Sequence, residues 1–136
     1  MGLDMYLQAK KRLRESIDFP EDLSAKFKRK DEGIMIGVWD VGYWRKFYDL
    51  HNYIAETIYD PNESDNCNEK YLDPEQIENI IGFLKEYKQK ASVGEYNETY
   101  FGSKKEAIAY VDKAIQIFES AYDLSGEYDF VYYAWY

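Results

Sequence analysis

The stretch DVGYWRKFYDLHNYI, residues 40–54, decides where a strand gives way to a helix, and it carries the only histidine of the chain. At about 100° per residue, Tyr43, Trp44, Phe47, Tyr48, Leu50, His51, Ile54, Ala55 and Ile58 fall on one broad arc. Arg45, Lys46, Asp49, Asn52, Tyr53, Glu56 and Thr57 take the opposite arc. The pattern predicts an amphipathic helix over 43–58. Just upstream, IMIGVWDV (34–41) is β-branched and aromatic and reads as a strand, with Gly37 as its expected bulge.

Two cations in the first turn of such a helix call for an explanation. The helix dipole disfavours positive charge there by about 0.3–1 kcal/mol, whereas the free N–H groups of the same turn attract anions. A phosphate or carboxylate at that point would make Arg45 and Lys46 its ligands, in competition with Asp40 as a helix cap. Tyr43 and Trp44 offer flat surfaces for stacking on a base, and His51 follows on the same stripe. With Tyr6 from the first strand, the residues Tyr43, Trp44, Arg45, Lys46 and His51 form a candidate pocket for a phosphorylated aromatic ligand such as a nucleotide. The competing reading makes Trp44 and Phe47 core, His51 a hydrogen-bonded structural group, and the two cations partners of surface acids.

Working outward, GLDMYLQAK (2–10) alternates Leu3, Met5 and Leu7 with Asp4, Tyr6 and Gln8, the signature of a half-buried strand. Residues 10–33, charge-rich and broken by Pro20 and Gly33, read as a loop or a long hairpin connection, with KFKRK (26–30) as solvated charge. DPNESDNCNEK (60–70) is packed with turn residues. Asp73-Pro74-Glu75-Gln76 supplies an N-cap, a proline at N1 and a glutamine at N3. The helix it opens carries the stripe Ile77, Ile80, Ile81, Leu84 and Tyr87, with Gly82 expected to mark close packing. Ser103 and Glu106 form a capping box before Ala107, Ile108, Val111, Ile115, Phe118 and Tyr122. EYDFVYYAWY (127–136) is apolar or aromatic on both faces, which fits a strand covered on both sides or one whose second face meets a partner.

The expected architecture is therefore α+β. A small antiparallel sheet, from strands near 2–10, 34–41 and 127–136, packs with three amphipathic helices near 43–58, 74–90 and 104–122, in one globular domain spanning 1–136.

At 136 residues and 46% hydrophobic composition the chain can bury a core. It contains no apolar run of the roughly 20 residues that span a bilayer, and neither a signal peptide nor a myristoylation motif is expected. The lone Cys67 excludes an internal disulfide. The net charge of −9 is unevenly spread: residues 1–46 hold ten Lys/Arg against eight Asp/Glu, and residues 47–136 hold seven against eighteen. Such an acidic body argues against general binding to nucleic-acid phosphates and suits an acidic face presented to a basic partner. Fifteen tyrosines favour an interface or a pocket as well as a core rim. No Walker A loop, GxGxxG, GxSxG or HExxH is present. No catalytic residue, cofactor or metal is expected. Asp4 with Asp40 is a weak Mg²⁺ pair, and the SDNCNE loop lacks the glycine and terminal glutamate of an EF-hand.

The start MGLDMYL, the segment YWRK-x4-His51, the loop Cys67 ahead of an acidic helix, and FGS (101–103) before the last helix resemble a family of small proteins encoded by bacteriophages and prophages. The resemblance spans most of the chain and departs after Cys67, where the family often shows Cys-Gly and this chain has Asn68. It brings no activity with it. It implies a phage accessory protein in the host bacterial cytoplasm. By analogy, such a protein acts by binding: it captures a small anionic ligand, or it inhibits a host defence or nucleic-acid-binding protein. A nucleotide-processing enzyme using His51 is the third reading. The aromatic C-terminal strand suggests a homo-oligomer.

Overall fold

The computed structural model describes residues 2–18 and 32–136. Along the chain run β1 (Asp4–Asp18), β2 (Glu32–Arg45), α1 (Tyr48–Thr57), β3 (Lys70–Leu72), α2 (Pro74–Ser92), α3 (Lys104–Leu124) and β4 (Asp129–Trp135). The four strands form one antiparallel sheet in the order β2-β1-β4-β3. This is the expected α+β class. Strand β3 is an addition to the expected elements, and β1 and β2 run well past their expected ends as a long hairpin. Pro20 and KFKRK (26–30) lie outside the described residues.

The alternation of β1 does what its pattern dictates. Leu3, Met5, Leu7 and Ala9 are buried, and together with Trp44, Phe130, Tyr132 and Ala134 they form the inner face of the sheet. Leu50 and Ile54 of α1, Ile77, Ile80 and Leu84 of α2, and Val111, Ala114 and Phe118 of α3 belong to the same core. The helix caps follow the sequence signals. Asp73 and Gln76 exchange both bonds of a capping box, at 2.8 and 2.9 Å. At α3 only half of the expected box forms: the Ser103 hydroxyl accepts from the Glu106 N–H at 3.2 Å, while the Glu106 carboxylate accepts from the Gly102 N–H at 3.1 Å.

The stretch 40–54 breaks differently from expectation. Residues 43–45 are strand: Tyr6 pairs with Tyr43, Met5 with Trp44 and Asp4 with Arg45. A last rung joins the Lys46 N–H to the Leu3 carbonyl at 2.6 Å. Lys46 then turns the chain at φ 56°, and α1 begins only at Tyr48. Trp44 buried between an exposed Tyr43 and an exposed Arg45 is period-2 burial. Both periodicities fit these few residues, and pairing with β1 decides between them. The position ahead of α1 also carries no start signal, since its N-cap is Phe47 and makes no side-chain capping bond. The two cations therefore precede the helix, and Asp40 lies in β2 rather than at a cap.

Gly37 is not the bulge. Leu7 pairs with Gly42 and Gln8 with Asp40, so Val41 is the extra residue, and Gly37 stays in register opposite Lys11. The glycines serve another purpose in a repeated G-x-W pattern, Gly37-Val38-Trp39 and Gly42-Tyr43-Trp44. A Cβ on Gly37 would collide with the Trp39 ring, and one on Gly42 would lie 2.6 Å from the Trp44 ring. Each indole fills the space its glycine leaves. Trp44 is thereby held flat against Phe118, with centroids 5.2 Å apart and planes 9° apart. Gly82, by contrast, is exposed, and a Cβ added to it would meet nothing within 4 Å, so it does not mark close packing.

The two glycines should respond to alanine with opposite signs. Gly42→Ala should destabilise the fold by about 1–3 kcal/mol through displacement of Trp44, while Gly82→Ala should stabilise it by up to about 1 kcal/mol through helix propensity. Urea unfolding midpoints of the two variants test this.

Candidate functional site

With all three helices on the inner face, the outer face of the sheet is formed by the even residues of β1 and their partners. Tyr6 lies at the centre of a row across three strands. Its ring is 5.1 Å from Tyr43 on β2 and 6.2 Å from Tyr133 on β4, tilted 45° and 40° respectively. Such cross-strand aromatic pairs each stabilise a sheet by about 0.2–1 kcal/mol. Open faces of antiparallel sheets are usually polar, whereas here Tyr43 is 52% exposed, Trp135 48% and Tyr71 60%. The Tyr43 hydroxyl donates to Asp4 at 2.5 Å, which fixes its ring and raises its pKa above the ordinary phenol value.

Arg45 closes the β2 end of this face, directly opposite Asp4 in the ladder. Lys46 follows in the turn. The two side chains converge around Gly2, where a Cβ would sit 3.5 Å from Lys46 Cε and 3.6 Å from an Arg45 guanidinium nitrogen. Among the described residues no carboxylate forms a salt bridge with either cation.

The six residues expected to share one pocket are thus divided. Tyr6, Tyr43 and Arg45 share the outer face, with Lys46 at its border. Trp44 and His51 are on the other side of the sheet, in the core. The pairing that makes 43–45 a strand turns Tyr43 and Trp44 to opposite faces. Asp4 and Asp40 are likewise not a metal pair: one accepts from Tyr43 and the other from the Gln8 amide at 3.0 Å. Among the described residues no group of three His, Cys, Asp or Glu side chains could hold a metal ion.

His51 is 4% exposed and lies at the middle of a hydrogen-bonded chain. Its Nδ1 is 2.6 Å from the Tyr132 hydroxyl, and its Nε2 is 2.9 Å from Asp65 Oδ2. The other oxygen of Asp65 accepts from the Tyr136 hydroxyl. Burial lowers the His51 pKa against the opposing pull of Asp65, so the ring is neutral near pH 7. A neutral ring then donates from Nε2 to Asp65 and accepts the Tyr132 proton at Nδ1. Burial also works against the Asp65 charge, but the Tyr136 hydroxyl and the His51 ring outweigh it and hold the carboxyl below the ordinary value. The network ties α1 to β4 through the 60–69 loop. That loop is clamped further by the Cys67 N–H on the Ala134 carbonyl at 2.8 Å and by the Tyr136 N–H on Asn66 Oδ1 at 3.0 Å. Sequence reasoning missed Asp65 and Tyr132 because a loop acid and a strand tyrosine, 14 and 81 residues from His51, carry no local sign of meeting it.

The sign of the pH dependence follows from these directions. The unfolded chain takes up a proton on His51 near the ordinary value of 6.5, while the folded chain resists until lower pH. The stabilisation is therefore complete above that value and is lost as pH falls through the folded pKa. Urea midpoints of the wild type should fall between pH 8 and pH 5.5. In His51→Gln, about 1–3 kcal/mol less stable at pH 8, most of that fall should vanish; an undiminished fall would contradict the assignment. Comparison of the chain with protein-family models, with curated proteins and with solved structures finds no match.

Proposed function

We propose that this chain is a non-catalytic binding protein, a phage accessory factor of the counter-defence type, that captures an anionic, nucleotide-derived ligand on the open face of its sheet. The single observation that carries the reading is the tyrosine row Tyr43–Tyr6–Tyr133 ending beside the convergent cations Arg45 and Lys46. Rings on a sheet surface offer stacking platforms worth about 1–3 kcal/mol per base, and a guanidinium with an ammonium beside it supplies the charge for a phosphate. In a chain of net charge −9, two adjacent exposed cations that form no salt bridge among the described residues leave their charge open to an incoming anion. Trp44 and His51 support this face from beneath. They hold the end of β2 and the position of β4, and they do not line the site.

A second reading has its own observation. The exposed aromatic surface continues from Tyr43 to Trp135 and Tyr71, across the whole width of the sheet. A broad, exposed aromatic face also suits a protein partner. On this reading the chain inhibits a host defence or nucleic-acid-binding protein, with its acidic residues steering the encounter. A homo-oligomer would use the same outer face of β4, because its two edges are already paired with β1 and β3.

Thermal unfolding against nucleotides, cyclic dinucleotides and ADP-ribose derivatives separates the readings. A ligand at 100 times its Kd adds about 2.7 kcal/mol, a rise of several degrees in Tm. The first reading expects such a rise for at least one compound, and expects Arg45→Ala/Lys46→Ala to abolish it. Binding unchanged in that double variant would sink it. With no rise across the panel, a host pull-down becomes the test of the second reading, and a captured complex indifferent to salt would rule out electrostatic steering.

A further inference from the structure

The helical side of the molecule carries a separate feature that the sheet-face reading does not use. A cleft of about 480 Å³ lies between α1, α2 and the 95–97 segment, within the range of small-molecule pockets. Helical spacing builds its walls. Asp49, Asn52 and Glu56 repeat along one side of α1, and Phe83, Tyr87 and Lys90 repeat along the facing side of α2. Tyr53 stacks on Phe83, with centroids 4.3 Å apart and planes 11° apart, so part of the aromatic lining is a parallel pair. Tyr87 adjoins Phe83 at 6.1 Å and donates its hydroxyl to Asp49 at 2.7 Å, which fixes one carboxylate at the wall.

The charge of the lining is one-sided. Asp49, Glu56 and Glu95 oppose a single ammonium, that of Lys90, which lies 3.5 Å from Glu86 outside the cleft. Carboxylates and aromatic rings lining one cleft suit a planar cation: a guanidinium stacks on an aromatic face and donates in-plane hydrogen bonds to carboxylates. We infer that the α1–α2 cleft binds a guanidinium group, carried either by a small free compound or by an arginine side chain of a protein. It uses no residue of the sheet face, so the two proposals fail independently.

The test is an NMR titration of the full chain, following the Tyr53 and Phe83 ring signals, with L-arginine amide, L-citrulline amide and the tripeptide amide Ala-Arg-Ala. Citrulline keeps the planar group and loses the charge. Saturable shifts with arginine amide, at least about tenfold weaker with citrulline amide, are expected. Glu56→Gln/Glu95→Gln changes two exposed side chains and should weaken arginine amide by about tenfold with the ring signals otherwise unmoved. Tighter binding of the tripeptide assigns the guanidinium to a protein chain, and equal binding to a free compound. Equal shifts with citrulline amide, absence of saturation, or unchanged affinity in the double variant would each overturn the inference.

Discussion

The pairing of β1 on both edges is the constraint from which the other features follow. A central antiparallel strand has a side-chain period of two, and a slip of one residue would exchange its faces. With Leu3, Met5, Leu7 and Ala9 committed to the core, Asp4, Tyr6, Gln8 and Lys10 must face outward. The register then carries Tyr43 and Tyr133 to either side of Tyr6 and sets Arg45 opposite Asp4. It also places Trp44 opposite Met5, under α3, where Phe118 meets it. The aromatic outer face and the packed inner face are two consequences of one ladder.

How much of this could be read from the residues depended on whether a signal was local. The faces of β1, the starts of α2 and α3, and the doubly apolar C-terminal strand were legible, because alternation, capping boxes and helical stripes are written in neighbouring positions. The end of β2 was not. Tyr43, Trp44 and Arg45 satisfy both an alternating and a helical pattern, and the choice came from β1, more than thirty residues upstream. A three-residue strand such as Lys70–Leu72 is too short to carry any period. The candidate site shared this fate. Its residue types were recognised, but a helix would have gathered Tyr43, Trp44 and His51 on one stripe, whereas the strand separates them. What remains together, Tyr6, Tyr43, Arg45 and Lys46, is joined by Tyr133, whose outward direction depended on register alone.

The buried polar chain from Tyr132 through His51 and Asp65 to Tyr136 gives the molecule a second tie. A core histidine is costly unless both nitrogens are satisfied, and here they are, by one partner from β4 and one from the 60–69 loop. The loop has no regular structure of its own, so its position rests on bonds of this kind, with the Tyr59 hydroxyl donating to the Asn68 carbonyl at 2.5 Å and Lys70 paired to Glu63 at 2.5 Å. Specificity of packing at this end of the sheet is therefore polar, whereas at the β2 end it comes from glycine and indole.

The sheet face, its cations and the supporting role of His51 all depend on the separation of Tyr43 from Trp44 onto opposite faces. NMR of the uniformly labelled chain tests it directly. Strand-type Cα and Cβ shifts at 43–45 are expected, with NOEs from the Tyr43 ring to Tyr6 and from the Trp44 ring to Phe118. Helical shifts over those residues, with Tyr43 and Trp44 both near the α1 stripe, would contradict it.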